Sequence, residues 1–355
     1  MDVSSTLANI SDVARRAGVS TTAVSFVLNG RLDQLGHETV ERIRAAIREL
    51  DYKPSAIAKA LATRRMETIG VVVTHLVHPV ETFIVSALVA HARAKGFNAF
   101  ISDQLIHAGP PDPRRDEAII EDQIGAMIDH QVAGIVASVS LSDRVLERVS
   151  RSNIPVVAID RFTGACDCVN VDFEAGSKEA VSHLYESGKR RLIYLDYGNP
   201  LNKCGVEAAV QEAGGIEVVR EMYALKPGDS FAAIMDAHRE GIEFDCVYVT
   251  SDWSAAGVYR ALESLGRNIP DDVAVVGFDD TFGAFYSPSL TTVAQPLGEI
   301  GRTAFELLAA RMAGEAPRDP VDVRLRPRLV KRESTGGPMP SKEELIKGLW
   351  ESDLV

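Results

Sequence analysis

The stretch ISDVARRAGVSTTAVSFVLNG, residues 10–30, decides the fold at the N-terminal end of the chain. It predicts two short helices, with Ser11 and Ser20 as their N-caps and Gly18 permitting the tight turn between them. The following HETVERIRAAIREL predicts a third helix, whose apolar stripe consists of Val40, Ile43, Ile47 and Leu50. Three small helices with a shared core indicate a helix-turn-helix domain, and a generic three-helix bundle is the alternative.

The second predicted helix leaves an aromatic side chain outside its apolar face. Val24, Val27 and Leu28 share one face, and Phe26 points away from it. The ring then lies on a surface that contacts a partner, or it packs against a neighbouring loop.

Charge is distributed unevenly along the chain. The 355 residues carry a net charge of −12, yet residues 1–65 hold ten Lys and Arg against seven Asp and Glu. A basic head on an acidic body suggests that one end of the protein meets phosphate groups. The length, with 46% hydrophobic and 25% charged residues, predicts two or three globular domains.

Several classes of protein lack support in the sequence. The longest apolar runs are shorter than a membrane span, and the N-terminal residues lack the features of a signal peptide, so we expect a cytoplasmic protein. No phosphate loop, nucleophile elbow or zinc-protease motif supports an enzyme. We expect the four cysteines to be reduced packing residues rather than a metal site.

From residue 68 onward, apolar runs of strand length alternate with helical patterns. We expect strands at TIGVVVT, FNAFISD, AGIVASV, IPVVAID, RRLIYLD, DCVYVTS and VAVVGFDD, and helices at EAVSHLYES and SAAGVYRALESLG. This alternation predicts an α/β fold with parallel sheets. Ligands bind beyond the carboxyl ends of such strands, where the candidate residues are His75, Asp160, Arg161, Ser251, Asp252, Asp279 and Asp280.

Several stretches together resemble the lactose-repressor family of bacterial transcription regulators. They are ISDVARRAGVSTTAVSFVLNG, YKPSAIAKALAT, TIGVVV, VAVVGFDD, SPSLTTVAQP and VKREST, in the family's order, within about residues 9–336. The resemblance implies a small all-α helix-turn-helix domain followed by an α/β two-lobed domain like the periplasmic sugar-binding proteins. It divides the chain into a DNA-binding head (1–53), a hinge (54–66), an effector-binding and dimerisation domain (67–336) and a tail (337–355).

The resemblance places the second helix of the head in the DNA major groove. The base-reading positions correspond to Thr21, Thr22 and Phe26. Ser20, Ser25 and Asn29 lie nearby, where they would contact the DNA backbone. Phenylalanine contacts the thymine methyl group best. Relatives commonly carry a polar or basic residue at the Phe26 position, so a known operator sequence does not transfer.

The segment after the third helix corresponds to the family's hinge helix, which forms on DNA and pairs with a second copy. Leu61 matches the leucine that wedges into a base step of the minor groove. Further expected contacts of this segment with DNA are Ser55, Ala56, Lys59, Arg64 and Arg65, of which the three cations would meet phosphates.

The family binds effectors in the cleft between its two lobes. The matching positions are His75, Val80, Asp160, Arg161, Asn202, Ser251, Asp252 and Asp279. Carboxylates and a guanidinium at strand ends suit a polyhydroxylated ligand. Helix capping or an interlobe salt bridge is the alternative role for Asp279 and Asp280.

The chain departs from the family pattern at the expected effector site. Asn202 stands where relatives usually have an arginine, and HPVE at residues 78–81 replaces an aromatic loop that often reads NPFF. These departures favour a neutral or cationic hydroxyl-rich effector over an anionic one. His75 and His78 could bind a metal, but two histidines on a loop without a third ligand more often face solvent.

The sequence therefore predicts a homodimeric repressor that binds a near-palindromic double-stranded DNA operator and senses a small sugar-like molecule, without a metal or other cofactor. The alternative is a DNA-binding regulator or scaffold whose cleft senses no effector. The tail has a helical pattern capped by Ser341, with Leu345, Leu349 and Trp350 on one side. It is too short for a coiled coil and is expected to cover a lobe or a partner surface.

Overall fold

The computed structural model describes residues 8–28, 30–52, 67–103, 113–160 and 164–345. The chain divides into two compact units, Met1–Glu67 and Thr68–Val355, which we call the head and the body. Among the described residues, no helix is long and apolar enough to cross a membrane.

The head consists of three helices around one small core. They are α1 (Ile10–Ala17), α2 (Thr21–Leu28) and α3 (His37–Glu49), with a short 3-10 turn at Leu32–Gln34. Each helix contributes a fully buried apolar side chain, namely Val13, Val24 and Ile43. The three predicted helices are confirmed.

The helix ends of the head differ in one respect from the sequence-based expectation. Asn9, not Ser11, caps α1: its Oδ1 accepts hydrogen bonds from the amides of Ser11 (2.9 Å) and Asp12 (3.1 Å). The Asp12 carboxylate accepts in return from the Asn9 amide, which completes a capping box. Ser20 caps α2 as predicted, and Gly18 has the left-handed φ of 66° that ends α1.

Lobe 1 of the body is a parallel sheet covered by helices. Its strands are β1 (Thr68–Val73), β2 (Asn98–Asp103), β3 (Ile135–Ser138), β4 (Val156–Ile159), β5 (Asp167–Val171) and β11 (Asp322–Leu325). Their order is β11-β5-β4-β3-β1-β2, and every neighbouring pair is parallel. The helices are α4 (Pro79–Ala94), α5 (Pro113–Asp129), α6 (Asp143–Ser152) and α11 (Leu297–Ala313).

Lobe 2 repeats this architecture with one antiparallel strand at its edge. Its strands are β6 (Arg191–Asp196), β7 (Glu217–Tyr223), β8 (Cys246–Val249), β9 (Ala274–Asp279), β10 (Thr291–Ala294) and β12 (Arg328–Val330). Their order is β12-β10-β9-β8-β6-β7, and β12 runs antiparallel to β10. The helices are α7 (Phe173–Glu186), α8 (Pro200–Ala213), α9 (Pro227–Arg239) and α10 (Asp252–Ser264).

The chain crosses between the lobes three times: from β5 to α7, from β10 to α11, and from β11 to β12. The carboxyl ends of the parallel strands in both lobes therefore border one interlobe cleft. All seven predicted strands are confirmed, as are the two lobes and the parallel sheets.

The four cysteines are free thiols. Cys168 and Cys246 are buried and Cys166 is half-buried, whereas Cys204 is exposed on α8, so its predicted packing role is wrong.

Candidate DNA-binding surface and effector cleft

The N-terminal end of α2 presents side chains that the core of the head does not use. Thr21 and Thr22 are exposed, while Ser20 caps the helix through a 3.2 Å bond from the amide of Ala23. Phe26 is half-buried, and among the described residues it is not one of the side chains that pack into the head's buried cluster. Hydroxyl, methyl and phenyl groups can all contact base edges in a major groove.

The remaining predicted DNA contacts are placed only in part. Ser25 is half-buried on the same helix. The other predicted contacts lie outside the described residues and stay predictions; they are Asn29, Ser55, Ala56, Lys59, Leu61, Arg64 and Arg65.

In lobe 1, hydrogen bonds fix the loop that follows β1 at the edge of the cleft. The Asp103 carboxylate accepts from the amide of Leu76 at 3.3 Å, and the Glu81 carboxylate accepts from Ser138 Oγ at 2.8 Å. His75 in this loop is half-buried, and Val80 packs against the core of the lobe. Val80 therefore supports the loop with its side chain, although the sequence suggested that it contacts the effector.

Direct contacts of two side chains, His78 and Phe83, join the lobes across the cleft. His78 Nε2, before α4 in lobe 1, lies 3.3 Å from Ser251 Oγ in lobe 2, and the His78 ring meets the Trp253 ring edge-on at 5.5 Å. Further along α4, the Phe83 and Phe282 rings lie 6.4 Å apart. The residue before α4 and the first turns of α4 thus contact lobe 2 at two points.

The environment of His78 favours its neutral form. Burial and, as the second cause, the nearby His75 lower the pKa of His78 to about 4. The expectation that this loop's histidines face solvent is therefore wrong for His78. The described residues contain no group of three or more His, Cys, Asp or Glu side chains that could hold a metal ion.

Asp279 lies where β9 meets the cleft, in an unusual backbone conformation. Asp279 has a φ of 110° and is only 4% exposed. The carboxylate accepts from Gln295 Nε2 at 2.7 Å, and the nearby Ser251 hydroxyl favours its ionised form. Burial and the neighbouring Asp252 raise the pKa of Asp279 well above its ordinary value. The carboxyl group is thus held beside the crossover from β10 to α11 and beside the interlobe contact at Ser251.

Asp252 is fully buried and bonds within lobe 2. Its Oδ1 accepts from Thr292 Oγ1 at 2.6 Å, and its Oδ2 accepts from the Thr281 amide at 3.0 Å. Burial raises the pKa of Asp252 to about 8, with repulsion from Asp280 as the second cause. In this arrangement Asp252 holds the turn after β9 in place, and its carboxylate does not face the cleft.

Asp160 ends β4 on the opposite lobe. It has a left-handed φ of 56°, and its Oδ1 accepts from the Val171 amide at 2.9 Å, next to the first crossover. Arg161, the predicted cation of the site, lies outside the described residues and stays a prediction. Asp160 therefore ties the end of β4 to the segment that connects the lobes.

Asn202 is fully buried in lobe 2, between α7 and α8. Its Oδ1 accepts from Ser177 Oγ at 2.9 Å, and that hydroxyl lies 2.7 Å from the Tyr248 hydroxyl. Its Nδ2 has no hydrogen-bond partner among the described residues. The side chain that replaces the usual arginine thus belongs to a buried polar network of the lobe.

Asp280 makes an ion pair within lobe 2, with Arg332 at 2.7 Å. The alternatives considered for it were helix capping and a salt bridge between the lobes. The observed ion pair does not cap a helix, and it does not join the lobes, since Asp280 and Arg332 both belong to lobe 2.

Sequence reasoning missed two residues at the cleft. Asp196 ends β6, accepts from Thr250 Oγ1 at 3.1 Å and from the Gly198 amide at 3.0 Å, and has a pKa raised by burial. Gln295 follows β10, a strand that the sequence analysis did not identify. The strand-end rule that selected Asp160 would have selected Asp196, because RRLIYLD ends in this aspartate.

A groove of about 620 Å³ lies elsewhere on lobe 1, where β4 and β5 begin. Its walls include α6 and the segment after α11, and the ion pair of Arg311 with Asp167 is part of its lining. Because this is the end of the sheet opposite the cleft, the groove does not belong to the candidate effector site.

Comparison with known proteins identifies both units of the chain. The family model "Bacterial regulatory proteins, lacI family" matches residues 9–55, and the model "Periplasmic binding protein-like domain" matches residues 181–335. Catabolite control protein A of Priestia megaterium is 28% identical over 340 residues, which cover 92% of this chain and 98% of that protein.

Solved structures agree over nearly the whole length. The lac repressor dimer bound to operator and the anti-inducer ONPF has a TM-score of 0.80 at 26% identity, over 93% of this chain and 99% of that one. The transcriptional regulator CelR in complex with cellobiose has a TM-score of 0.67 at 27% identity, over 92% and 99%. With its helix-turn-helix head and two-lobed body, the chain belongs to the lactose-repressor family of bacterial regulatory proteins and is a DNA-binding transcription regulator.

Proposed function

We propose that this regulator is a repressor that binds a near-palindromic operator as a homodimer. The observation that carries the proposal is the exposure of side chains on α2. Thr21 and Thr22 are exposed, and Phe26 is left out of the buried cluster of the head. One such helix covers only a few base pairs, so a second copy related by two-fold symmetry is needed for specific affinity. The operator complex of the lac repressor dimer supports this arrangement.

The test is selection of bound fragments from genomic DNA, followed by affinity measurement at fixed salt concentration. We expect an enriched site with two inverted half-sites, and we expect the Thr21→Ala, Thr22→Ala double variant to lose the enrichment. Enrichment of a single asymmetric half-site, or binding without sequence preference, would contradict the proposal.

The body binds a neutral or cationic hydroxyl-rich molecule in the interlobe cleft. Asp160, Asp196 and Asp279 end strands at the cleft, whereas the nearby cation Arg332 is engaged by Asp280 and Glu344. Carboxyl groups accept hydrogen bonds from hydroxyls, and they offer no positive charge to pair with an anion. The cellobiose complex of a relative supports a sugar-like ligand.

Calorimetric titration with cellobiose, ribose and their phosphates tests the effector class. We expect a neutral sugar to bind and Asp279→Ala to weaken that binding at least tenfold, which corresponds to about 1.4 kcal/mol. Asp271→Ala, at an exposed aspartate of the same lobe, is the matched control. Tight binding of a sugar phosphate, or unchanged affinity in Asp279→Ala, would contradict this assignment.

A regulator whose cleft senses no effector is the second candidate. It is favoured by the direct contacts of His78 with Ser251 and Trp253 and of Phe83 with Phe282, because these can hold the lobes together by themselves. The two candidates differ in coupling: only an effector shifts both the melting temperature and the operator affinity.

The same proposal places the protein in the cytoplasm, where the operator lies, and gives it no enzymatic activity or cofactor. It is supported by the relatives described above, which are transcriptional regulators. Turnover of a bound sugar during calorimetry would contradict it.

A further inference from the structure

Arg332 is a buried guanidinium that joins the turn after β9 in lobe 2 to the C-terminal tail. The residue is 3% exposed and follows β12. Its Nη1 donates to Asp280 Oδ1 at 2.7 Å and to the Leu290 carbonyl at 3.0 Å. Its Nε and Nη2 donate to Glu344 Oε1 at 3.0 and 2.7 Å, and Nη2 also donates to Asp280 Oδ2 at 3.2 Å. All three nitrogen atoms are therefore used, and two carboxylates share them.

One of those carboxylates belongs to a strained turn at the cleft. Asp279 and Asp280 have consecutive positive φ values of 110° and 56°, which non-glycine residues rarely adopt. Such a turn persists only when its surroundings fix it. Gln295 holds Asp279, Asp252 holds the Thr281 amide, and Arg332 holds Asp280.

The other carboxylate comes from the C-terminal tail. Glu344 lies in a short helical segment in which Ser341 Oγ accepts from the Glu344 amide at 3.0 Å. Its side chain is 39% exposed, whereas the side chain of Arg332 is 4% exposed. The neighbouring Glu343 is exposed and has no hydrogen bond or ion pair among the described residues. One tail carboxylate thus reaches a guanidinium that otherwise serves the cleft.

We propose that Glu344 is a positioning residue for the effector cleft, acting through Arg332 and Asp280 on the turn that carries Asp279. The tail thereby contributes to effector affinity without touching the effector. Replacing the Glu344 carboxylate leaves two donors of a buried guanidinium with a weaker acceptor, so Arg332 shifts and the turn loses one of its three supports. The consequence for affinity rests on the proposed effector binding, whereas the consequence for the turn does not.

Hydrogen–deuterium exchange of the full chain tests the effect on the turn. We expect residues 279–286, which include the Thr281 amide, to exchange about tenfold faster in Glu344→Gln than in the wild type. The matched control Glu343→Gln should exchange like the wild type. A general loss of stability is distinguished by residues 191–196 of β6, whose exchange should not change in either variant.

Calorimetry with cellobiose and ribose tests the effect on affinity. We expect Glu344→Gln to bind the sugar about tenfold more weakly, with operator affinity unchanged. If the wild type binds neither sugar, the proposed effector class is contradicted, and the exchange comparison alone decides the role of Glu344. Unchanged exchange of the turn in Glu344→Gln, or equal acceleration in β6, would overturn the inference.

Discussion

His78 Nε2 lies 3.3 Å from Ser251 Oγ, so the loop before α4 in lobe 1 touches the start of α10 in lobe 2. The Ser251 hydroxyl also lies near Asp279, the carboxyl group on which the proposed effector site depends, and favours its ionised form. The interlobe contact and the candidate site are therefore connected through one hydroxyl group. Any ligand that displaces Ser251 or Asp279 would change how the lobes are held together.

Acid should open the cleft through His78. Its pKa is about 4 when buried and 6.5 in its ordinary state, so the open form takes up a proton first as the pH falls below 6.5. The contribution of His78 to holding the cleft closed is therefore fully present above pH 6.5, and it is lost as the pH falls toward 4. Fluorescence of Trp253, measured in a Trp350→Phe background, should change over this range. A His78→Gln variant that shows the same transition would contradict this role.

Phe26→Ala should weaken operator binding by about 1–3 kcal/mol and relax preference at one base pair of each half-site, because an apolar contact to a base is lost. Fluorescence anisotropy with a selected operator and its single-base variants measures both effects. Val24→Ala is the contrasting variant, since Val24 is fully buried and its loss should unfold the head. If Phe26→Ala also unfolds the head by circular dichroism, the ring belongs to the core.

Asp252 should make the stability of lobe 2 fall as the pH rises. Its pKa is about 8 in the folded protein against an ordinary value of 3.8, so the folded state binds more protons between these values. The free energy of unfolding therefore decreases with rising pH across this range. Urea unfolding from pH 5 to 9 should show a shallower slope in Asp252→Asn than in the wild type. Asp279 shifts in the same direction, so the slope is reduced rather than abolished. Equal slopes in the two proteins would show that Asp252 is ionised in the fold.

The ion pair of Asp167 with Arg311 should stabilise lobe 1. Both carboxylate oxygens accept from the guanidinium at 2.6 Å, and the Asp167 side chain is 1% exposed. Asp167→Ala should lower the free energy of unfolding by about 1–3 kcal/mol, because it removes the charged acceptor of Arg311 and the acceptor of the Val321 amide. Glu306→Ala breaks the exposed pair with Arg302 and should cost about 0–1 kcal/mol. Similar losses of unfolding free energy in the two variants would mean that the burial of Asp167 does not strengthen its ion pair.

The sequence predicted most of the fold because its apolar periodicity is clear. The stripes of α3 and the strand-length runs of both lobes reflect burial, which depends mainly on the order of residues along the chain. The strands that it missed are β5, β7, β10, β11 and β12, none of which has more than two consecutive apolar residues. Asn9, Ser11 and Asp12 are all residue types that cap helices, so the sequence alone does not decide which of them begins α1. The backbone geometry selects Asn9.

The cleft was predicted less completely for a physical reason. A strand-end rule places Asp160, Ser251 and Asp279 at the carboxyl ends of strands, and they lie there in the structure, Asp160 after β4 of lobe 1 and the other two after β8 and at the end of β9 of lobe 2. It does not give the direction of a side chain, and both oxygens of Asp252 face into lobe 2. Asn202 is a second such case, because the resemblance that matched it to the effector site does not reveal that its side chain bonds to Ser177 of α7.

Sedimentation of the full chain with a selected operator tests the central claim most directly. We predict two copies of the chain on each near-palindromic duplex, and we predict that deletion of residues 1–65 abolishes DNA binding while leaving a dimer. A full-length monomer that binds the same duplex with equal affinity would contradict the account.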